Sequence, residues 1–186
     1  MNSELPSCRI IRFPIELVRP DPLVLSDIAP DYHEIDWIMS HRFDEDGEDQ
    51  VVPDYFAEAE METLEEITTF DRADPAVYRA ALGKLVNDSV AIAVTACREW
   101  QKVKREYLDR VRLVEANKDS GFFERRLEDY MPTYEHHLEA AYEAAQRAHG
   151  IARVVDFALE GKPWQPRDPQ DLSWMDPAPP RAKVAG

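Results

Sequence analysis

Two long stretches of the chain carry apolar residues at steps of three and four, the spacing of one face of an α-helix. The first begins at Asp74, a good N-cap, which is followed by Pro75 at the first helical position. From there, apolar or small side chains recur at Tyr78, Leu82, Leu85, Ser89, Ile92, Ala96, Trp100, Val103, Tyr107, Val111 and Val114. The spacing predicts a long amphipathic helix over about 75–117, with a seam like that of a coiled coil.

The second stretch predicts a partner helix over about 122–160, in which Pro132 marks either a kink or the start of a new helix. Gly150 weakens this helix locally without ending it. Between the two stretches, "NKDSG" ends the first helix, and Gly121 is expected to adopt a left-handed conformation there. Two long helices joined by a short turn predict an antiparallel hairpin, in which the alanine-rich stretch 140–152 allows close approach.

Two shorter helices are predicted before the hairpin. Asp31 and Glu34 form a capping-box pattern, which indicates a helix over 31–42. Pro53 and Asp54 begin a second pattern, which indicates a helix over about 54–70. Because two helices alone leave apolar surface uncovered, these shorter helices are expected to complete a bundle. The predicted fold class is therefore mainly α.

The two ends of the chain have a different character. Residues 10–26 suggest a short β-hairpin, although an extended segment packed on helices fits equally well. The last 25 residues, 162–186, hold six prolines and form a Pro-rich tail that wraps the bundle or stays mobile. We therefore divide the chain into an N-terminal segment (1–52), a helical bundle (53–161) and a tail (162–186).

The charge is distributed very unevenly. The net charge is −15, and residues 1–75 carry all of it, with 20 acids against 5 bases. Within residues 43–71, twelve of 29 side chains are Asp or Glu and none is Lys or Arg. Such asymmetry is a hint of function rather than a requirement of the fold.

No catalytic constellation can be identified. Phosphate-binding glycine loops and nucleophile motifs are absent from the sequence, and Cys8 and Cys97 are not at a metal-like spacing. His136 with Glu139 or Glu143 could share a helix face, but the order of ligands found in di-iron bundles is missing. We therefore predict a non-enzymatic protein without metal or cofactor. The two separated cysteines and the interrupted N-terminus favour a cytoplasmic location.

A row of bases is formed by Arg98, Lys102 and Arg105, at i, i+4 and i+7 on the first long helix. Nucleic-acid binding is one interpretation, but the field of a chain of net charge −15 would repel phosphate. The favoured interpretation is that the row faces water or pairs with acids of this chain or of a second copy.

The acidic segment contains one organised surface. On the predicted 54–70 helix, one side is apolar, and the carboxylates lie opposite, with Glu66 nearer the border: Asp54, Glu58, Glu62, Glu65 and Glu66. They span roughly 18 Å, about one charge per 4.5 Å, close to the phosphate spacing of about 3.4 Å along one DNA strand. The preceding loop extends the charge through Asp44, Glu45, Asp46, Glu48 and Asp49. We predict that these ten residues bind a partner.

Two hypotheses of function follow. In the first, the acidic face occupies a basic, nucleic-acid-binding surface of a partner protein, and in its charge alone the chain resembles the acidic DNA mimics that inhibit CRISPR effectors and restriction enzymes. The tail side chains Trp164, Trp174 and Met175 are expected either to dock on the chain's own bundle, which is the favoured interpretation, or to give the partner a second contact. In the second, the hairpin makes the chain a structural or adaptor subunit, for which a homodimer is one form. A helical enzyme with an unrecognised carboxylate or histidine site is the weakest alternative.

Overall fold

The protein is mainly helical, as the periodicity predicts. The computed structural model describes residues 25, 27–40, 47, 51–118 and 121–167. Helices hold 78% of these residues, and no strand occurs among them. The helices are α1 (Tyr32–Met39), α2 (Tyr55–Thr68), α3 (Pro75–Ala116), α4 (Gly121–Glu128) and α5 (Met131–Leu159). The predicted β-hairpin at 10–26 lies almost entirely outside the described residues, and the division into three segments stays a prediction.

The predicted N-caps Asp31 and Asp74 are confirmed, and Asp54, predicted to lie at the start of its helix, is a third N-cap. Asp31 accepts a hydrogen bond from the Glu34 amide at 2.8 Å and begins α1. The Asp54 carboxylate accepts from the Ala57 amide at 3.0 Å and begins α2. At the start of α3, Asp74 accepts a hydrogen bond from a first-turn amide at 2.8 Å. Each cap satisfies amides that have no partner inside their own helix.

Helix α3 has the predicted length, and Leu82, Trp100 and Val103 of the predicted seam are buried, but the middle of the helix turns a different row of side chains toward the core. Its 42 residues extend over about 63 Å at 1.5 Å per residue. The core takes Val90, Ala93 and Cys97, whereas the predicted seam contained Ser89, Ile92 and Ala96. Ile92 is 65% exposed, so its assignment to the seam was wrong. Both rows are apolar or small at helical spacing, so periodicity alone could not choose between them.

The connection between the two long helices also differs in detail from the prediction. Gly121 is the first residue of α4 and does not adopt the expected left-handed conformation. Instead, α3 ends at Asn117, whose side-chain amide donates to the Leu113 carbonyl at 2.8 Å. Pro132 lies in the first turn of α5, where a missing amide hydrogen costs nothing. The second long pattern is therefore two helices, one of the two outcomes that the proline predicted.

Helix α5 lies at the centre of the bundle, because α1, α2, α3 and α4 all pack against it. The main core forms where α1 and α3 meet the middle of α5, and it includes Ile35, Trp100, Leu138 and Tyr142. A second core joins the end of α2 and the start of α3 to the end of α5, around Leu82. The alanine-rich part of α5 lies in the first of these, as its composition predicts.

Gly150 marks a close approach of α2 to α5. A Cβ atom on this glycine would come within 2.5 Å of the Phe56 carbonyl oxygen and 3.2 Å of the Ala59 Cβ. Both residues lie on α2, so the missing side chain of Gly150 is what lets α2 rest directly on α5. Gly150 therefore has a packing role that its helical context did not reveal.

Helix α3 also contains an apolar stretch with little cover. An 18-residue window in it has a mean hydropathy of 1.3, and 22% of that window is buried. By length and composition alone the helix could cross a membrane, which is weak evidence for a membrane location. The cytoplasmic location stays a prediction. The exposed part of this window is the side of α3 that faces away from α5.

Candidate partner-binding surface

Helix α2 separates its side chains as predicted. The apolar side is buried against α5 through Phe56, Ala59, Thr63 and Ile67. The Thr63 hydroxyl satisfies its hydrogen-bonding capacity within the helix by donating to the Ala59 carbonyl at 2.6 Å. The carboxylates predicted to bind a partner therefore lie on the outer surface of the bundle. We call the five on this helix and its cap the α2 acidic face: Asp54, Glu58, Glu62, Glu65 and Glu66.

Arg147 of α5 supplies a positive charge to the middle of the α2 acidic face. Its guanidinium pairs with Glu62 and lies 3.9 Å from a carboxylate oxygen of Glu58. These carboxylates remain 63% and 54% exposed, so the pairs are screened by solvent and contribute little stability. Arg147 offsets the repulsion between Glu58 and Glu62, although residues 43–71 themselves contain no base. The compensating base lies 85 residues beyond Glu62 in the chain.

Asp54 is held at the other end of the face. Besides capping α2, its carboxylate accepts two hydrogen bonds from the Arg167 guanidinium, at 3.0 and 2.8 Å. The same guanidinium lies 4.1 Å from the centre of the Phe56 ring. Both hydrogen bonds come from the same guanidinium nitrogen, Nη2, and together with the cation–π contact they fix the orientation of Asp54.

Glu65 and Glu66 are the most available members of the face. Both are exposed, and no ion pair at either is recorded among the described residues. Asp71 and Asp74 continue the exposed acidic surface past the end of the helix. Two arginines against five carboxylates leave a net charge of −3 on the α2 acidic face. Glu66 interacts electrostatically with Lys84 of α3, and the exposed Arg72 directly follows Asp71. The face is thus neutralised by ion pairs at Asp54, Glu58 and Glu62, whereas Glu65 and Glu66 make no ion pair among the described residues.

Glu60 is an acidic residue whose position the sequence pattern did not reveal. It lies on the buried side of α2, is 3% exposed, and pairs with Arg153 of α5. Arg153 also donates to the Gln165 carbonyl at 2.8 Å, which ties the residues after α5 to the same cluster. A carboxylate on the apolar side of an amphipathic helix signals such a pair, because burying it alone would be very costly. Glu60 therefore helps to attach α2 to α5.

The basic row makes no ion pair with the carboxylates of α2 among the described residues. Arg98, Lys102 and Arg105 are exposed on α3, and Arg105 donates to the Gln101 carbonyl of its own helix at 3.3 Å. In the described part of the chain, the recorded ion pairs of the α2 carboxylates involve the bases of α5 and the segment after it. The row is therefore a solvent-facing feature of α3.

Trp164 packs on the chain's own bundle. Its indole lies against the second core, which contains Ile67 and Leu82, and its side chain is half-buried. The other two predicted tail contacts, Trp174 and Met175, lie outside the described residues. So do the loop carboxylates Asp44, Glu45, Asp46, Glu48 and Asp49.

A groove with aromatic walls lies at the opposite end of α5 and was not predicted. It has a volume of about 330 Å³ and is lined by Asp31, His33, Glu34, Trp37, Tyr107 and Tyr134. The sequence gave no signal for it, because its lining comes from α1, α3 and α5 and meets only in the folded bundle.

No cluster of three His, Cys, Asp or Glu side chains suited to a metal ion occurs among the described residues. Cys97 is fully buried, and burial raises the pKa of its thiol to about 11, which keeps it protonated and unreactive near neutral pH. The buried thiol behaves as a small apolar side chain.

No protein-family model, curated protein sequence or solved structure matches this chain. The fold and the surfaces described above are therefore the basis for any proposal of function.

Proposed function

We propose that this protein is a non-enzymatic regulator or inhibitor whose α2 acidic face engages a basic, nucleic-acid-binding surface of a partner protein. The observation that carries the proposal is the far end of that face, where Glu65 and Glu66 are exposed outside the ion pairs with the arginines, on a helix whose opposite side is packed against the core. A rigid helix holds its charges at fixed spacing, as a nucleic-acid backbone does. Mimicry of DNA, of the kind used by acidic inhibitors of CRISPR effectors and restriction enzymes, is the form of binding that this spacing favours.

The arginines of α5 and the following segment refine this proposal. Arg147 already pairs with Glu62 and lies near Glu58. These two carboxylates therefore attract a basic partner less strongly than unpaired carboxylates would. The contact is therefore centred on Glu65 and Glu66, with Asp71 continuing the surface. Binding should weaken steeply as salt is raised, because screening acts strongly on exposed charges.

The test uses two double variants of equal charge change. In the first, Glu65→Lys with Glu66→Lys reverses the available end and leaves the Arg147 pairs in place. In the control, Glu115→Lys with Glu128→Lys reverses exposed acids on α3 and α4. Immobilised protein captures partners from cell extract at low and high salt, and duplex DNA is added as a competitor. We expect the first variant to lose at least about tenfold in affinity for a salt-sensitive, DNA-competed partner, and the control to keep it.

Equal binding by both variants would contradict the proposal. Circular dichroism of the two variants must show the same helical content as the parent, so that a loss of binding cannot come from unfolding. Reversing Glu58 and Glu62 is avoided, because lysines there would repel Arg147 and destabilise the docking of α2.

A second candidate function is that of a structural or adaptor subunit that associates through α3. Its support is the side of α3 facing away from α5, where Val77 and Ile92 are 54% and 65% exposed and Ala91 is exposed between them. An exposed apolar helix side of this kind fits another helix, including that of a second copy.

Light scattering after size exclusion distinguishes this candidate from the first. Ile92→Glu should convert a dimer into a monomer without unfolding the chain, because the substituted side chain is already exposed. Val51→Glu is the matched control, since Val51 is 83% exposed and lies away from α3. A parent protein that is monomeric at high concentration would exclude self-association by this surface.

A further inference from the structure

The groove between α1, α3 and α5 combines aromatic walls with carboxylates, a pairing that suits an organic cation. Tyr107 and Tyr134 form one wall, with their rings stacked at a centroid distance of 4.4 Å and an angle of 19°. Trp37 forms another wall and keeps 53% of its surface exposed. Aromatic faces carry negative potential, which attracts a cation placed over them.

The carboxylates are fixed at the edge of the groove. One oxygen of Asp31 accepts the capping hydrogen bond from the Glu34 amide, so the position of this carboxylate is set by the start of α1. The Glu34 carboxylate pairs with Lys104 and is therefore largely neutralised. Asp31 is left as the main source of negative charge in the lining, with His33 beside it.

The same region already holds one cation against an aromatic ring. The Lys104 ammonium lies 4.6 Å from the centre of the Trp100 ring while it pairs with Glu34. A cation held by both an aromatic face and a carboxylate is thus an arrangement that this part of the bundle uses internally. The groove next to it offers the same two components to a group from outside.

Burial and the nearby Glu34 carboxylate raise the pKa of Tyr134 to about 12. Its phenol is therefore uncharged near neutral pH and can take part in a hydrogen bond at the wall of the groove. The tyrosine wall is therefore uncharged, and Asp31 remains the main negative charge that attracts a cation into the groove.

We propose that this groove receives an arginine side chain of a basic protein partner, stacked against Trp37 and the tyrosine pair, with its guanidinium directed at Asp31. Arginine fits better than lysine, because a planar guanidinium stacks on aromatic rings and is more weakly hydrated than an ammonium. The identity of the occupant rests on the proposed function, which requires a basic partner. The cation preference of the groove does not, so it can be measured without that partner.

The test uses single amino-acid derivatives, which avoid the non-specific binding of polycations. N-acetyl-arginine amide is titrated into the whole protein, and the backbone amide resonances, which remain observable when a tryptophan is replaced, are followed by NMR together with the indole resonances. N-acetyl-citrulline amide serves as the neutral isostere, and N-acetyl-lysine amide as the alternative cation. We expect saturable binding of the arginine derivative in the millimolar range, with citrulline at least about tenfold weaker and lysine several-fold weaker.

Three variants assign the binding to the groove. Trp37→Ala removes an exposed wall and should abolish the saturable shift. Asp31→Asn removes the charge while keeping a residue type that caps helices well, so it should weaken binding several-fold with α1 intact. Asp36→Asn makes the same change on the same helix outside the groove lining, and it should leave the affinity nearly unchanged.

Equal binding of citrulline and arginine would overturn the cation site, and equal binding of lysine would overturn the preference for arginine. Binding that survives both Trp37→Ala and Asp31→Asn would place it elsewhere. These outcomes are independent of the charge reversal at Glu65 and Glu66, because that test measures the binding of a partner protein from cell extract. Failure of one test therefore leaves the other interpretable.

Discussion

At the scale of single residues, helix packing depends on one missing side chain. Gly150 permits the backbone of α2 to lie directly on α5, with the Phe56 carbonyl where a Cβ would be. A glycine in a helix interior normally costs about 1 kcal/mol relative to alanine. Here the close approach of the two helices offsets that cost, because any larger residue would push them apart.

Gly150→Ala should therefore destabilise the protein, by about 1–3 kcal/mol, since its Cβ would overlap a backbone atom that cannot move independently. Urea unfolding followed by circular dichroism gives the measurement. Gly83→Ala is the control, because nothing lies within 4 Å of that position in α3. It should stabilise the protein by up to about 1 kcal/mol. The same sign for both substitutions would show that the packing at Gly150 is not tight.

His149, next to this contact, should make stability depend on pH. Burial lowers the pKa of the imidazole in the folded protein. The unfolded chain therefore binds a proton more readily, and the stabilisation present above about pH 6.5 is lost as the pH falls toward the folded value. The free energy of unfolding at pH 7.5 and 5.5 should differ less for His149→Gln than for the parent. An unchanged difference would assign the pH dependence to other groups.

At the scale of elements, α3 shows how a long amphipathic helix can offer two apolar rows and bury one. The row that contains Val90, Ala93 and Cys97 faces α5, and Ile92 faces water. Small residues at Ala93 and Cys97 match the alanines of α5 opposite them, so the two helices approach closely along this row. Shape at the contact, rather than hydrophobicity alone, selects the face.

Truncation of one residue from each row tests this orientation. Val90→Ala should destabilise the protein by about 1–2 kcal/mol, because it leaves a cavity in the core. Ile92→Ala removes more atoms but should change stability by less than about 0.5 kcal/mol. The comparison uses thermal unfolding at low protein concentration, which avoids any contribution from self-association. A larger effect at Ile92 would mean that α3 is rotated from the orientation described.

At the scale of the whole molecule, contacts distant in sequence tie the end of α5 and the residues after it to α2. Arg167 joins Asp54 and the Phe56 ring, Arg153 reaches Glu60, and Trp164 covers the second core. The start of the tail therefore forms part of the bundle. It also completes the surroundings of the α2 acidic face.

Arg167→Ala should release this attachment. The side chain is 14% exposed and bridges a carboxylate and a ring, so its loss should cost about 1–2 kcal/mol, allowing for the partial exposure of Asp54. Hydrogen exchange should speed up at residues 162–167 and at the first turn of α2, with the hairpin core protected as before. Uniform acceleration over the chain would instead indicate a global loss of stability.

Local signals were enough to predict most of the fold. Asp31, Asp54 and Asp74 each cap their own helix, so a stretch of at most four residues contains each capping interaction. The buried face of α3 and the pairing of Glu58 and Glu62 with Arg147 depend on neighbours far along the chain, which periodicity does not contain. The aromatic groove likewise exists only after three helices assemble.

The positions of the arginines that neutralise α2 have a consequence for synthesis. Glu62, Glu60 and Asp54 precede their partners by 85, 93 and 113 residues, so α2 leaves the ribosome well before its countercharges are made. During that interval its apolar side has no surface to cover it. The repulsion among its carboxylates would keep nascent chains apart in the meantime, much as gatekeeper charges do beside aggregation-prone segments. The acidity of α2 would thus limit aggregation while the chain is being synthesised, in addition to forming the acidic surface of the folded protein.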